Sequence, residues 1–112
     1  MNCRIKVTSH FAKDLKQLSR KYPSIKQDYA CLLNELEINP YSGIDLGNGL
    51  RKIRMAIKSK GRGKSHGARV ITYIISISDD ESEIYLLVIY DKSERENISH
   101  NEIEDILRDT FF

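Results

Sequence analysis

The spacing of apolar residues changes once along this chain, near residue 50, and no other feature constrains the fold as strongly. Before that point, apolar side chains recur at intervals of three and four residues, which is typical of one face of an α-helix. After it, they alternate with polar residues or form continuous β-branched runs, which is typical of strands. The first part therefore predicts helices, and the second predicts a sheet. The 112 residues are expected to form one domain, residues 1–112.

A short strand and two helices are predicted in the first part. Residues 3–8 alternate in polarity and predict the strand. Pro23 separates the two helices, and Ser24 with Gln27 forms the capping-box pattern with which a helix begins. The Asn-Pro pair at residues 39–40 ends the second helix. Because their connection is so short, the helices are expected to form an antiparallel hairpin. The apolar stripes are Phe11, Leu15, Leu18 and Tyr22 in the first helix and Ile25, Tyr29, Leu32, Leu33 and Leu36 in the second.

The second part predicts three strands and a last helix. Residues 41–50 are rich in turn formers and are predicted to be irregular, and residues 58–67 form a glycine-rich loop. Ser99 and Glu102 form another capping-box pattern, which begins the last helix. The short connections predict an antiparallel meander with the helices against one face. The predicted strands cover residues 50–57, 68–77 and 84–90. The predicted fold class is α+β: an N-terminal short strand and two-helix hairpin packed on a small antiparallel sheet, with a C-terminal helix.

Charge is distributed very unevenly along the chain. The formal net charge is only +2, but residues 46–78 carry eight basic side chains and no acidic ones. Residues 79–112 carry three basic and eleven acidic side chains, and residues 1–45 carry seven and five. Folding alone does not require so many unopposed cations in one segment, so the middle segment predicts an anion-binding surface.

Several classes of protein are excluded by the sequence. There is no apolar run long enough for a membrane helix and no secretory signal in the first residues, so a cytoplasmic location is expected. Cys3 and Cys31 are expected to be small buried hydrophobic residues, and the scattered histidines fit no zinc site. The tripeptide at 63–65 resembles the end of a phosphate-binding P-loop, but Lys58 occupies the position where that motif needs a glycine.

The basic segment has the layout of a nucleic-acid surface. Lys52 and Arg54 are expected on the same face of a strand, about 7 Å apart. Arg69 begins the next strand and, in a hairpin-like pairing, returns near Arg54. Tyr73 lies on the same face as Arg69, where it either stacks on a base or packs in the core. The loop between the strands adds four more cations, Lys58, Lys60, Arg62 and Lys64.

Such a cluster could also cleave RNA. Attack by the 2′-hydroxyl of the RNA needs a group that takes the hydroxyl proton, cations that stabilise the charge on the phosphate, and a donor that protonates the leaving 5′-oxygen. A lysine among other cations is a candidate for the proton-transfer role, because the neighbouring charges favour its neutral form.

Four blocks of the sequence resemble one known family. The second helix ends in INP, and it is followed by GLRKIR, then GARVITY, then IYLLVIYDKSERENIS. In this order and spacing they resemble a RelE/HigB-type toxin of a type II toxin–antitoxin system, in the HigB-like branch of the RelE/ParE superfamily. The resemblance implies the fold described above and a ribosome-dependent endoribonuclease. Such enzymes cut mRNA in the ribosomal A site, leave a 2′,3′-cyclic phosphate, and use Lys and Arg without a metal or another cofactor.

The resemblance also assigns roles to individual residues. Lys52, Arg54, Arg69 and Lys92 fall at catalytic positions. Family members often carry a tyrosine or a histidine near the C-terminus as the acid or base, and here the nearest equivalents are Ser99 and His100. His66, in the loop, is a further candidate for proton transfer. The expected RNA contacts are Arg51, Lys58, Lys60, Arg62, Lys64 and Tyr73.

The implied partners are a cognate antitoxin, mRNA and the 70S ribosome with its rRNA. No membrane contact is expected, and the oligomeric state stays open, with a monomer expected for the free chain. Two alternatives remain at this stage. One is a ParE-type toxin of the same fold that inhibits DNA gyrase, and the other is a non-catalytic module that binds RNA or an antitoxin.

Overall fold

One five-stranded sheet with three helices forms the structure, a computed structural model that describes residues 2–111. The predicted α+β class, the helical hairpin and the C-terminal helix are confirmed. Two short 3₁₀ turns, Lys58–Lys60 and Lys64–His66, lie in the glycine-rich loop. The elements are β1 (Asn2–Val7), α1 (Ser9–Lys21), α2 (Ile25–Ile38), β2 (Ile44–Gly47), β3 (Leu50–Met55), β4 (Ala68–Ser76), β5 (Glu81–Asp91) and α3 (His100–Phe111).

The strand order in the sheet is β1-β5-β4-β3-β2. β2 to β5 form the predicted antiparallel meander, and β1 joins the open side of β5 in parallel, with Ile5 opposite Ile84. The prediction that residues 41–50 are irregular is wrong, because they contain the edge strand β2. Three glycines, Gly43, Gly47 and Gly49, and the turn at Asn48, whose φ is 54°, hide the alternation of β2. β2 pairs with the start of β3 and satisfies backbone groups that would otherwise face solvent.

The helices cover both faces of the sheet, so the prediction that they pack against one face is wrong. α1 and α2 pack on one face, against Ile53, Val70 and Leu86, whereas α3 packs on the other, against Ile71 and Val88. The physical reason lies in the central strands β4 and β5, which carry apolar side chains on both faces. Such strands need a covering layer on each side to remove both sets from water.

A β-bulge interrupts β5. Ile71 pairs with Val88 and Thr72 pairs with Leu86, so Leu87 is an extra residue opposite β4. Leu87 and Val88 consequently both face α3. Before the bulge, odd-numbered side chains of β5 such as Tyr85 face α3. After it, even-numbered side chains such as Tyr90 do.

The helix ends agree with the predicted boundaries, with one difference in chemistry. The Ser99 hydroxyl accepts a hydrogen bond from the Glu102 N–H at 3.1 Å, as a capping residue does. Ser24 precedes α2 as predicted, but its hydroxyl donates to the Asp28 carboxylate at 2.6 Å and does not cap the helix. The Ser24 oxygen instead accepts from the Ser59 N–H at 2.8 Å, which ties the helical hairpin to the first 3₁₀ turn.

The expectation that both cysteines are buried is wrong. Cys3 is half-buried beside the core, and Cys31 is exposed. The apolar stripe of α2 is set by Leu32 and Leu36, and that register turns Cys31 to the solvent side.

Candidate nucleic-acid interface

Two arginines and a tyrosine lie in one row across three strands. Arg54 of β3 is directly opposite Arg69 of β4, and Arg69 is directly opposite Tyr90 of β5. They share the face of the sheet that α3 covers further along. The sequence predicted that Arg69 returns near Arg54, and the strand register places them as cross-strand partners. Like charges in this position repel each other unless something negative lies between them.

Arg69 is the most unusual residue of this row because it is a buried cation. Its side chain is only 4% exposed. Its guanidinium donates to the carbonyls of Lys64 at 2.9 Å, Ser65 at 3.1 Å and Ala68 at 3.1 Å. Burial lowers the pKa of Arg69, and the neighbouring Arg54 lowers it further. Arg69 therefore anchors the second 3₁₀ turn and also leaves an uncompensated positive charge in the row.

The four cations that the resemblance marks as catalytic are all without an acidic partner. Within residues 2–111, none of Lys52, Arg54, Arg69 and Lys92 forms an ion pair. The Lys52 ammonium donates instead to the Asn97 Oδ1 at 2.9 Å, which brings the segment after β5 across to β3. Cations that lack an acidic partner are suited to bind an anion such as phosphate.

The glycine-rich loop is held in place, and one of its predicted RNA contacts is occupied. The Lys60 ammonium binds the Asp91 carboxylate at 2.5 Å, and these side chains are 13% and 0% exposed. The same ammonium also donates to the His66 carbonyl at 2.9 Å. Asp91 further accepts from the Tyr22 hydroxyl at 2.6 Å and from the Ser93 N–H at 2.9 Å. The pair thus joins α1, the loop and the turn after β5, and the Lys60 side chain is largely buried within the protein, contrary to its predicted role as an RNA contact.

The ionisation of Asp91 reflects these contacts. Burial by itself raises the pKa of Asp91, but hydrogen bonds from Lys60, Tyr22 and Ser93 outweigh it and hold that pKa well below its usual range. The carboxylate is therefore charged at neutral pH and keeps its bond to Lys60.

A cavity of about 690 Å³ lies between the loop and the segment after β5. Arg62, His66 and Lys92 line it, together with Arg95 and two glutamates. The structure therefore brings His66 and Lys92 to one cleft. Among residues 2–111 there is no group of three or more His, Cys, Asp or Glu side chains that could hold a metal ion.

The other two candidates for proton transfer lie at the start of α3 and have local partners. Ser99 uses its hydroxyl oxygen as the helix cap described above. The His100 Nε2 lies 3.1 Å from the Glu104 carboxylate, one turn further along the exposed side of the helix.

Three of the predicted RNA contacts lie away from the row. Arg51 faces the opposite side of β3, where it donates to the Tyr41 carbonyl at 2.8 Å. The ring of Tyr73 lies 5.6 Å from that of Phe111 beneath α3, so it packs in the second core. The ammonium of Lys64 lies 3.5 Å from the Glu35 carboxylate of α2. The loop also contains Lys58 and Arg62, which are exposed and form no ion pair with any of residues 2–111.

Tyr90 and Arg95 were missed by the sequence analysis. Tyr90 is 7% exposed, and its hydroxyl has no hydrogen-bond partner within residues 2–111. The guanidinium of Arg95 lies over its ring, 5.7 Å from the centroid. Burial raises the pKa of Tyr90, while the charges of Arg69 and Arg95 act to lower it. A regular alternation of β5 would turn Tyr90 towards α1. The bulge turns it to the other face instead, and the amino-acid sequence does not show where a bulge lies.

The chain matches the family model described as the RelE toxin of the RelE / RelB toxin-antitoxin system, over residues 10–109. The matched region contains nearly all of α1 and α3, the whole of α2, and the meander with its cationic row. The chain therefore belongs to the RelE toxin family. It is a toxin of a toxin–antitoxin system, and its partner is a cognate antitoxin. Within residues 2–111, no helix is both long enough and apolar enough to cross a membrane.

Proposed function

We propose that this toxin is a ribosome-dependent mRNA endoribonuclease of the HigB-like branch, acting in the cytoplasm. In this proposal, Lys52, Arg54, Arg69 and Lys92 stabilise the scissile phosphate. Arg62 and Lys58 contact RNA of the 70S ribosome. Cleavage uses the 2′-hydroxyl of the mRNA, needs no metal, and leaves a 2′,3′-cyclic phosphate and a 5′-hydroxyl.

The observation that carries the proposal is the pair of unopposed arginines. Arg54 and Arg69 are cross-strand partners, and Arg69 is buried, with its guanidinium donating to three backbone carbonyls. Holding two positive charges together in this way is unfavourable without an anionic ligand. A phosphate relieves the repulsion, and it does so most when its charge grows in the transition state. Stabilisation of that charge by pre-positioned donors is the main contribution that a site without a metal can make.

In the proposed order of events, binding of the phosphate comes first. The phosphate binds between the guanidinium groups, which fixes the phosphorus next to the sheet. The 2′-oxygen attacks that phosphorus, and the added negative charge is spread over oxygens that already face cations. Lys92 and His66 line the cavity between the glycine-rich loop and the segment after β5, and in this proposal Lys92 reaches the phosphate from there.

The test compares the wild type with Arg54→Gln under tight induction, with new 5′ ends mapped on cellular mRNA. Arg54 is chosen because it is exposed and forms no ion pair, whereas Arg69 also anchors the loop. Cuts inside translated codons are expected for the wild type and should fall by at least 10-fold in Arg54→Gln. Arg20→Gln is the matched control, because Arg20 is an exposed cation of α1 outside the row.

Other outcomes separate the alternative functions. Growth arrest with intact mRNA and accumulating cleaved DNA would indicate a gyrase inhibitor of the ParE type. Binding of RNA or antitoxin without growth arrest would indicate a non-catalytic module. Cuts that persist in Arg54→Gln at the wild-type rate would remove Arg54 from the proposed site.

We further propose that the antitoxin covers this row with an acidic segment. The cations of the row have no acidic partner of their own, so an acidic helix or strand would neutralise them and block RNA at the same time. Affinity for the antitoxin should then fall as salt is added. An affinity that is unchanged between low and high salt would contradict this docking mode.

A further inference from the structure

The hydroxyl of Tyr90 is a buried polar group without a partner. The side chain is 7% exposed, and no donor or acceptor within residues 2–111 bonds the oxygen. Native proteins pair nearly all such groups, so an unpaired one calls for an explanation. In the part of the chain that the structure describes, the buried hydroxyls of Thr72 and Ser82 also lack partners, but neither lies in the cationic row.

The surroundings of Tyr90 point to a reacting phosphate. Tyr90 is the cross-strand neighbour of Arg69, which is in turn the neighbour of Arg54. Arg95 lies over its ring from the segment after β5. The phenol is therefore the one neutral O–H donor in a row whose other members are cations. The three side chains suggested by the sequence for proton transfer do not join this row, because Ser99 and His100 are engaged in α3 and His66 lies in the loop.

We propose that Tyr90 is the catalytic residue that protonates the leaving 5′-oxygen during RNA cleavage; this inference rests on the ribonuclease function proposed above. The 2′-oxygen forms a bond to phosphorus and loses its proton to water, and the bond from phosphorus to the 5′-oxygen breaks. The proton of the Tyr90 hydroxyl passes to the 5′-oxygen and gives a 5′-hydroxyl. The resulting phenolate is stabilised by Arg69 and Arg95 and regains a proton from water.

Arg95 controls access to the phenol. In the free protein its guanidinium covers the ring and binds the Glu102 carboxylate, and both of these side chains are more than a third exposed, at 38% and 42%. Exposed ion pairs of this kind are weak. An RNA phosphate competes with Glu102 for Arg95, and movement of the guanidinium towards the phosphate uncovers the hydroxyl.

The test uses the wild type and Tyr90→Phe on ribosomes programmed with two mRNAs. One mRNA is natural, and in the other the 5′-oxygen at the cut site is replaced by sulfur. A thiolate leaves without protonation, so a general acid is dispensable for that substrate. Tyr90→Phe should cut the natural mRNA at least 100-fold more slowly than the wild type, and should cut the sulfur-containing mRNA within about threefold of it.

Each other outcome overturns the inference in a distinguishable way. An equal loss on both mRNAs would assign Tyr90 a structural role, and no loss on either would remove it from the reaction. A wild type that cuts neither mRNA would overturn the proposed ribonuclease function itself, and with it the role of Tyr90.

Two controls separate chemistry from folding. The substitution removes only a hydroxyl that has no partner, so the urea midpoint of Tyr90→Phe should equal or exceed that of the wild type. Tyr85→Phe is the matched variant, because Tyr85 lies on the same face of β5 but donates its hydroxyl to Glu83 at 3.0 Å, away from the row. It should cut both mRNAs at the wild-type rate.

Discussion

The buried pair of Lys60 and Asp91 allows the sharpest prediction of stability. Lys60→Met keeps the length of the side chain but removes the ammonium from a carboxylate that is fully buried. Loss of one partner from a buried pair costs about 3–5 kcal/mol. The lower end, about 3 kcal/mol, is expected here because Tyr22 and Ser93 continue to donate to Asp91. For a domain of this size, that corresponds to a decrease in Tm of about 12 °C.

The dependence on pH identifies the cause. The pKa of Asp91 is held below its unfolded value of about 3.9, so the stability it contributes is present above that pH and is lost as the pH falls below it. Without the ammonium, the folded pKa rises and this contribution shrinks. The free energies of unfolding of the wild type and of Lys60→Met should therefore differ most at pH 7, and the difference should shrink progressively as the pH falls below about 4.

Urea unfolding of both proteins at pH 7 and at about pH 2.5 measures the effect. Lys58→Met is the matched control, since Lys58 lies in the same 3₁₀ turn with an exposed side chain and no ion pair within residues 2–111. It should change stability by less than about 0.5 kcal/mol. A cost below about 1 kcal/mol for Lys60→Met, or an equal cost at both pH values, would refute the reasoning.

Three further predictions concern the parts that hold the site. Gly67→Ala should destabilise the protein and reduce toxicity because the new Cβ would clash with the Met55 carbonyl, whereas Gly61→Ala meets open space and should cost about 1 kcal/mol for its positive φ; equal urea midpoints for the two would contradict this. Phe11→Ala should cost about 3–5 kcal/mol because the ring is fully buried, a loss that thermal unfolding can detect. Ser99→Ala should lower stability by about 1 kcal/mol through the lost cap of α3, and an unchanged Tm would argue that the cap is not stabilising.

Most of the fold could be predicted from the sequence because its signals are local. The stripe through Phe11 and Leu18 and the proline after it were enough to place α1. The alternation that begins at Leu50 placed β3 in the same way. The faces of the sheet were predicted less well, because an apolar run such as residues 84–90 shows that a strand is buried but not which layer covers each side. β2 was missed because a strand of four residues with a glycine has almost no period to detect.

The site could be predicted only as far as strand register allowed. A hairpin-like pairing of the two strands predicted that Arg69 lies near Arg54, and the structure confirms it, because the two residues are cross-strand partners. The sequence could not predict which loop cations are exposed and which form ion pairs, because their partners are distant along the chain. Lys60, for instance, is held by Asp91, a residue 31 positions away. Tyr90 was missed for a different reason, because an uninterrupted strand would place it on the other face.

Because of the bulge at Leu87, the number of residues in β5 decides which face of the sheet its last side chains occupy. A strand with this sequence but no bulge would turn Asp91 towards Arg69, and the carboxylate would neutralise the charge that RNA is proposed to meet. Loss of one residue at Leu87, by contrast, would straighten the strand and leave Tyr90 and Asp91 on their present faces. Relatives that differ by one residue at this point can therefore share the same chemistry, and a gap in their alignment belongs there rather than in the flanking turns. In protein engineering, a one-residue deletion at Leu87 is the length change that this strand should tolerate best.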